Sequence, residues 1–494
     1  MMVLGCLAMT ALAQSQFGEK PKLVVGIVVD QMRWDYLSRY YDQFCDGGFR
    51  RMTDQGFSCN NCLINYVPTI TAIGHTSAYT GTTPAFHGIC GNDFYIDGKK
   101  VVSCQDNSVK AVGSTTSHGN RSPRNLLTTT IGDQLRLHTD FHSKVVGISY
   151  KDRAAIFPAG HSANAAYWLD TKNLCFISST YYMNELPDYV KQVNDDMKKN
   201  QEVQQAGERI GYTPLCGTVI TDMAIAALQG EQLGRGQATD MLCVSYSQTD
   251  VIGHEWGTRG ERTDAAYLTL DKDLSRLFSA LDEQVGQGQW VAFLTADHGA
   301  AHNWRFQKEH RLPGGPLYND ELKKGIYDYL KEKYNITKKV IGDIIDYRIF
   351  LNYDQIESDD EAEDVKEGIT AYVKSLPEYV TAVAFEQVRT AALPERLAEQ
   401  ILKGYYAGRS GDIIIIPKPH YYGSWKEAPL GQTTHGEWNP YDAHIPCLFL
   451  GWKIPHGATS REVHITDIAP TICQLLHIQQ PSACIGEAIT EITK

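Results

Sequence analysis

The sequence predicts an α/β fold: a mostly parallel sheet flanked by helices, carrying an inserted α+β cap region. Three observations lead there. Continuous apolar, β-branched runs recur along the chain, beginning with Leu23–Val29 (LVVGIVV), and an unbroken run is the pattern of a strand buried on both faces. Helical periodicities lie between these runs, and strands alternating with helices imply a parallel sheet covered on both sides. The rhythm then breaks over residues 306–411, which are more charged. At 494 residues the chain exceeds the usual single-domain size, so two domains or one large core with insertions are expected.

Residues 1–13 (MMVLGCLAMTALA) form a short apolar segment ending in an A-x-A-type cleavage site, Ala11-Leu12-Ala13. No positive n-region precedes it, so the start is expected to lie inside a longer signal peptide. Val3-Leu4-Gly5-Cys6 faintly resembles a lipoprotein box, which would anchor the chain through Cys6. Export to the periplasm or the medium is the expectation. No later run approaches the roughly 20 apolar residues of a membrane span.

The core is expected over 22–305 and 412–494. After Leu23–Val29, similar strand-like runs follow at Lys144–Tyr150, Met241–Ser247, Trp290–Ala296, Asp412–Pro417 and Pro446–Gly451. Helices are expected over Gly217–Leu228, Asp264–Leu281 and Thr466–Leu476; in the second, Ala266, Leu270, Leu274, Leu277 and Leu281 recur on one face. Ser103–Ser122, rich in Ser, Thr, Asn and Gly, reads as a loop near the site. The inserted region 306–411 reads as helices Asn319–Tyr334, Asp360–Ser375 and Leu393–Lys403 around one strand, Tyr347–Tyr353. Of 12 cysteines, Cys6 lies in the leader, which leaves 12 − 1 = 11, an odd number. Cys59-x-x-Cys62 has no second pair, so a disulfide or two buried thiols is expected there rather than a zinc ribbon.

Formal net charge is 46 − 58 = −12, which argues against a non-specific nucleic-acid binder. It does not exclude an anionic substrate, because bound cations invert the local sign. In open parallel sheets, ligands sit just beyond the carboxyl ends of the strands. Asp30 follows the first strand. Lys151-Asp152-Arg153 follow the second; if the chain stays extended there, Lys151 and Arg153 project to the same side. Asp250 and His254 follow the third, and Asp297-His298 the fourth. His435 stands in Gln432-Thr433-Thr434-His435-Gly436. A hydroxyl residue, Thr71, sits in Asn65-Tyr66-Val67-Pro68-Thr69-Ile70-Thr71-Ala72-Ile73-Gly74-His75, with no G-x-S-x-G elbow around it. Three Asp, three His and one hydroxyl can make two carboxylate/imidazole metal sites; such ligands suit Zn²⁺, with Mn²⁺ and Fe²⁺ as alternatives.

Asp30, Thr71, Asp250-x-x-x-His254, Asp297-His298 and Thr434-His435-Gly436, in this order, resemble the alkaline phosphatase superfamily, in particular its single-threonine bacterial alkaline phosphatases (the PafA type). Thr71-Ala72-Ile73-Gly74-His75, Gly91-Asn92-Asp93 and Lys151-Asp152-Arg153 support the resemblance, which runs from about Leu23 to the C-terminus. It implies two zinc ions per chain about 4 Å apart. Asp250, His254 and His435 would hold one; Asp30, Asp297, His298 and the Thr71 oxygen would hold the other. It further implies a phospho-threonine intermediate on Thr71, with Asn92, Lys151 and Arg153 holding the non-bridging oxygens of a phosphate monoester. No equivalent of a third, Mg²⁺ site is found. A monomer acting on small-molecule phosphate monoesters is expected.

The nearest alternative is a nucleotide pyrophosphatase/phosphodiesterase of the same superfamily, against which the Lys-x-Arg pair argues. Sulfatases are more distant, since their Cys/Ser-x-Pro-x-Arg segment is absent around Thr71. A catalytically dead anion-binding protein of this fold is the reading from another class, and the complete ligand set argues against it.

Overall fold

The computed structural model describes residues 19–425 and 428–493. The expected leader, with Cys6, lies outside them. In the two larger sheets the first strands, in chain order, are β1 (Leu23–Val29), β2 (Phe57–Cys59), β3 (Ala111–Val112) and β4 (Val145–Ser149). They are followed by β5 (Ala165–Asp170), β6 (Cys175–Ser179), β7 (Asp240–Tyr246) and β8 (Trp290–Thr295). Next come β9 (Ile341–Ile345), β10 (Arg348–Leu351), β11 (Tyr379–Ala384) and β12 (Ile413–Pro417), then β13 (Cys447–Gly451) and β14 (Gly457–Thr459).

The main sheet has ten strands in the order β14-β2-β13-β8-β1-β7-β4-β5-β6-β3. Its centre, β8-β1-β7-β4-β5, is parallel throughout. β1 is buried along its whole length and lies between β7 and β8, which is why its apolar run is unbroken. The margins depart from the expected parallel sheet: β13 runs antiparallel to β8 and to β2, and β6 antiparallel to β5 and β3. The sheet is therefore mixed. An apolar run reports burial on both faces and carries no information about strand direction. Helices Leu215–Gly230 and Glu261–Gln284 pack together against it, the latter burying Ala266, Leu270, Leu274, Leu277 and Leu281 as its periodicity predicts.

The inserted region forms its own sheet, β9-β10-β12-β11, antiparallel at every pairing. Helices Asn319–Tyr334 and Asp359–Ser375 cover it around a separate apolar cluster that includes Ile326, Leu330, Val365, Ile369 and Val373. One strand changes place. Asp412–Pro417 was expected in the core, yet β12 lies between β10 and β11. Its four isoleucines would suit either sheet, so composition could not assign it. The stretch expected to be a loop, 103–122, carries β3 and a short helical turn at Ser117–Gly119. Cys59, Cys62 and Cys447 are buried free thiols, as the other described cysteines are free, so Cys59-x-x-Cys62 is not a disulfide.

Candidate active site

Thr71 opens the helix Thr71–Thr80, every residue of which is buried, after an extended Ile70 (φ −126°, ψ 147°). The helix start faces its free backbone N–H groups and a partial positive charge toward whatever lies in front of it. Its placement depends on Gly74. A Cβ there would lie 2.2 Å from the Asp297 carbonyl oxygen and 2.6 Å from the Asp297 Cα, so only glycine lets this helix touch the loop after β8. The Thr71 hydroxyl consequently sits 3.4 Å from His298 Nε2.

The four strands side by side at the sheet centre, β8, β1, β7 and β4, deliver Asp297-His298, Asp30, Asp250 with His254, and Lys151 to one edge. Asp250 and His254 lie one turn apart on Gln248–Trp256, with His254 Nε2 at 3.1 Å from Asp250 Oδ1. His435 arrives from a distant loop, its Nε2 at 3.6 Å from the same oxygen. His298 Nε2 is 3.6 Å from both Asp30 Oδ1 and Asp297 Oδ2, and its ring stacks on His435 at 3.5 Å between centroids. All seven residues named as metal-ligating thus meet in one place. Two compact sets of ligand atoms emerge, Asp30/Asp297/His298 and Asp250/His298/His435, so by spacing alone His298 stands between the two groups.

These residues fit divalent metal binding. His254 Nδ1 lies 2.9 Å from Thr433 O, His298 Nδ1 3.0 Å from Gly299 O and His435 Nδ1 2.7 Å from Thr69 O. A carbonyl only accepts, so each Nδ1 donates and each Nε2 is the ring atom turned toward the carboxylates, the orientation that metal-ligating imidazoles take. Asp30 Oδ1 is a buried carboxylate oxygen with no hydrogen-bond partner among the described residues. A buried polar atom of this kind calls for an explanation, and a cation supplies one. Burial, with His298 beside it, keeps His435 well below the ordinary imidazole range and therefore neutral, the ligating form. Burial and the neighbouring Asp297 carboxylate push Asp30 well up. Two ionised carboxylates this close repel, and a nearby positive charge relieves that repulsion.

Part of that charge is local. Lys151 Nζ bridges Asp30 Oδ2 at 2.7 Å and Asp250 Oδ2 at 2.6 Å. Burial works to lower the lysine, but Asp250 and Asp30 outweigh it and hold its ammonium above the usual value. Lys151 is extended (φ −90°, ψ 136°) at the N-cap of Asp152–Ala159, and Arg153 already lies in the first helical turn. The extended run expected across 151–153 therefore stops at Lys151, because the helix begins one residue later. The Arg153 Nε is buried without a hydrogen-bond partner among the described residues. Asp152 pairs with Arg121 Nε at 2.6 Å and lies 3.5 Å from Arg153 Nη1. Asn92 Oδ1 accepts from the Ala72 N–H at 3.1 Å, which leaves its Nδ2 as a donor beside Thr71.

The structure adds residues that sequence reading gave no role. Gln31 takes a left-handed backbone (φ 63°), donates its N–H to Asp297 Oδ1 and its amide Nε2 to Asp250 Oδ1 at 2.6 Å. Strain of this kind in a non-glycine residue clusters at functional sites. His75 lies one turn after Thr71, with Nδ1 2.9 Å from Thr71 O and 3.1 Å from Asp297 Oδ2, and Nε2 2.7 Å from Ser245 Oγ. Its four-residue spacing from Thr71 was visible; its partner Ser245 on β7 was not. Thr69 ties the two distant loops, accepting from Gly436 N and donating to Glu437 O.

A family model described as "Type I phosphodiesterase / nucleotide pyrophosphatase" matches residues 24–442. A Myroides odoratus protein named "Calcium-transporting ATPase" is 42% identical, over 98% of this chain and 97% of its own length. Alkaline phosphatase PafA of Elizabethkingia meningoseptica is 40% identical, over 96% of this chain and 94% of its own. A crystal structure of wild-type alkaline phosphatase PafA superposes with a TM-score of 0.91 at 39% identity, covering 96% of this chain and 99% of that one. Among the described residues no single helix is long and apolar enough to cross a membrane. The chain belongs to the type I phosphodiesterase/nucleotide pyrophosphatase family and, within it, to the PafA-like alkaline phosphatases.

Proposed function

We propose that the chain hydrolyses phosphate monoesters at two zinc ions, through a covalent phospho-threonine on Thr71. One observation carries this reading: the buried Thr71 hydroxyl stands 3.4 Å from an imidazole flanked by carboxylates, with the Nε2 atoms of His254, His298 and His435 all turned toward carboxylate oxygens. Asp30, Asp297, His298 and the Thr71 oxygen would hold one ion; Asp250, His254 and His435 would hold the other. When bound, the pair supplies Lewis-acid charge to the attacking and leaving oxygens of an in-line displacement.

The chain's own residues do the rest. Thr71 loses its hydroxyl proton to solvent and its oxygen bonds phosphorus as the ester P–O bond breaks; the departing alkoxide takes a proton from water and leaves as the alcohol. Water then cleaves the phospho-threonine, releasing inorganic phosphate and restoring Thr71. Gln31 and His75 hold Asp250 and Asp297 from behind, so the carboxylates need not reorganise as charge moves. Asn92 Nδ2, Lys151 and Arg153 are the donors for the non-bridging oxygens; Arg153 can serve two at once.

The choice between monoester and diester rests on charge. A monoester dianion has three non-bridging oxygens, whereas a diester has one charge and two such oxygens. Charge-assisted contacts are worth about 1.5–3 kcal/mol each, or roughly 10- to 150-fold in rate when made in the transition state. Lys151→Ala with Arg153→Ala should therefore lower monoester kcat/KM by about two or more orders of magnitude and diester kcat/KM much less. In parallel, metal analysis should find two zinc ions on the wild type and fewer on His435→Ala. Equal losses on both esters, or a wild type that prefers diesters, would replace this reading with the phosphodiesterase one. Two zinc ions retained by His435→Ala at full activity would overturn the ligand assignment.

A further inference from the structure

We propose that Arg348, carried by the inserted region, is a positioning residue for Asn92, so that the insertion supports phosphoryl transfer by gripping a loop of the core. The proposal rests on the reading of Asn92 as a phosphoryl ligand. Asn92 lies outside the main sheet. It follows a short helix, Pro84–His87, a left-handed Gly88 (φ 73°) and the buried pair Ile89-Cys90, and it precedes the hairpin Asp93–Ile96/Lys99–Val102. The core itself offers two hydrogen bonds to the residue, Ala72 N to its Oδ1 and Ser103 N to its carbonyl. The backbone leading to it is held from the other side.

Arg348 is the first residue of β10 and is 0% exposed. An arginine almost never buries completely without partners. Here Nη1 donates to the Cys90 carbonyl at 2.6 Å, and Nη2 lies 3.3 Å from Asp346 Oδ2. The guanidinium abuts the chain next to Asn92: a Cβ on Gly91 would stand 2.9 Å from Arg348 Nη2 and 3.0 Å from Asp346 Oδ2. The same face of the insertion adds Phe350, whose ring stacks on Tyr95 of the hairpin at 4.9 Å, and Asp343, paired with Lys100 at 2.7 Å. Arg409, also in the insertion, donates to Gly88 O at 2.7 Å and Asn125 O at 2.9 Å.

Two guanidinium groups thus hold two carbonyls, of Gly88 and Cys90, within four residues of Asn92. A charge-assisted bond to a buried carbonyl is directional and strong, and a lysine cannot reach the carbonyl and the carboxylate with the same fork. A shift of about 1 Å in a positioning element is enough to cost catalysis even when the fold survives. The site of the chemistry is in the core, but the geometry of one of its ligands is decided by the insertion.

The test is a double-mutant cycle on the zinc-loaded full chain. Arg348→Lys and, as a second variant, Asp346→Asn are each measured alone and combined with Asn92→Ala, using one monoester, with zinc content and thermal midpoint recorded. Asn suits position 346, whose φ is 49°, so this variant keeps the backbone while weakening the grip on Arg348. The expected result is a loss of about tenfold in kcat/KM for Arg348→Lys, carried mainly by kcat, with two zinc ions retained. In the Asn92→Ala background that loss should shrink to about twofold or less. Lys100→Ala, which breaks the exposed contact of the same interface, should change kcat/KM by less than about twofold. Equal losses with and without Asn92, or none in either single variant, would overturn the proposal. If Asn92→Ala alone left monoester turnover unchanged, it is the reading of Asn92 that would fall.

Discussion

In the ten-stranded sheet, five neighbouring strands run the same way, and Asp30, Lys151, Asp250 and Asp297 follow the carboxyl ends of four of them. In the inserted four-stranded sheet every neighbour runs the opposite way, and its strand ends alternate between two edges. Both sheets are rich in Val and Ile and both bury an apolar cluster. Parallel strands converge their ends on one edge, where ligands are held; antiparallel strands scatter theirs. The difference shows in the charges. Those of the core are buried and crowded, whereas many in the insertion pair at the surface, as Lys338 does with Glu361 and Lys366 with Glu386. Direction, more than composition, decides which sheet can host chemistry.

The sharpest way to break this contrast is to remove the group at the focus of the parallel strands. Thr71→Ala should lower monoester turnover by at least about a thousandfold with the fold intact, while Thr71→Ser keeps measurable activity. Near-normal turnover in Thr71→Ala, checked beside its circular dichroism, would mean that the convergent edge is not the catalytic one.

A smaller effect compares the two apolar clusters directly. Leu294→Ala in β8 and Ile369→Ala in the insertion each empty a fully buried position, and each should cost about 2–5 kcal/mol of unfolding free energy. Leu294 lies three residues before Asp297, so its loss should also depress kcat. Ile369→Ala should leave kcat within about twofold in the folded fraction. Comparable kcat losses in both variants would show that the insertion's core is coupled to the site as tightly as β8.

The smallest expected effect lies where the two regions meet. His87 is buried beside Arg409; burial, then that guanidinium, push its imidazole down to about 3 from the ordinary 6.5. Its Nδ1 accepts from Ile89 N at 3.1 Å and its Nε2 meets Ser77 Oγ at 3.1 Å, so protonation would break the first bond. Because the folded value is the lower one, the unfolded chain binds the extra proton between pH 6.5 and 3. Stability from this group is complete above about pH 6.5 and is lost as pH falls toward 3, by about 2 kcal/mol at pH 5. Urea unfolding of His87→Gln at pH 7 and pH 5 should show a pH-dependent loss smaller than the wild type's by about that amount; an unchanged difference would remove His87 from the account.

The sequence by itself determined which strands are buried on both faces and which ionisable residues follow them. The runs at β1, β4, β7 and β8 are unbroken because both faces are covered, and a residue that follows such a run must lie at the sheet edge, so Asp30, Lys151, Asp250, Asp297 and their histidine neighbours could be read in order. What only the tertiary structure decided is what depends on contacts between distant segments. β12 joined the insertion because its isoleucines pair with β10 and β11 there, a choice no local pattern records. His435 reached Asp250 because Thr69 accepts and donates across more than 360 residues. Gln31, His75 and Arg348 acquired roles from carbonyls and carboxylates on other elements. Periodicity reports which side chains are buried; it does not report which hydrogen-bond partner a buried polar group will find, because that partner is set by packing.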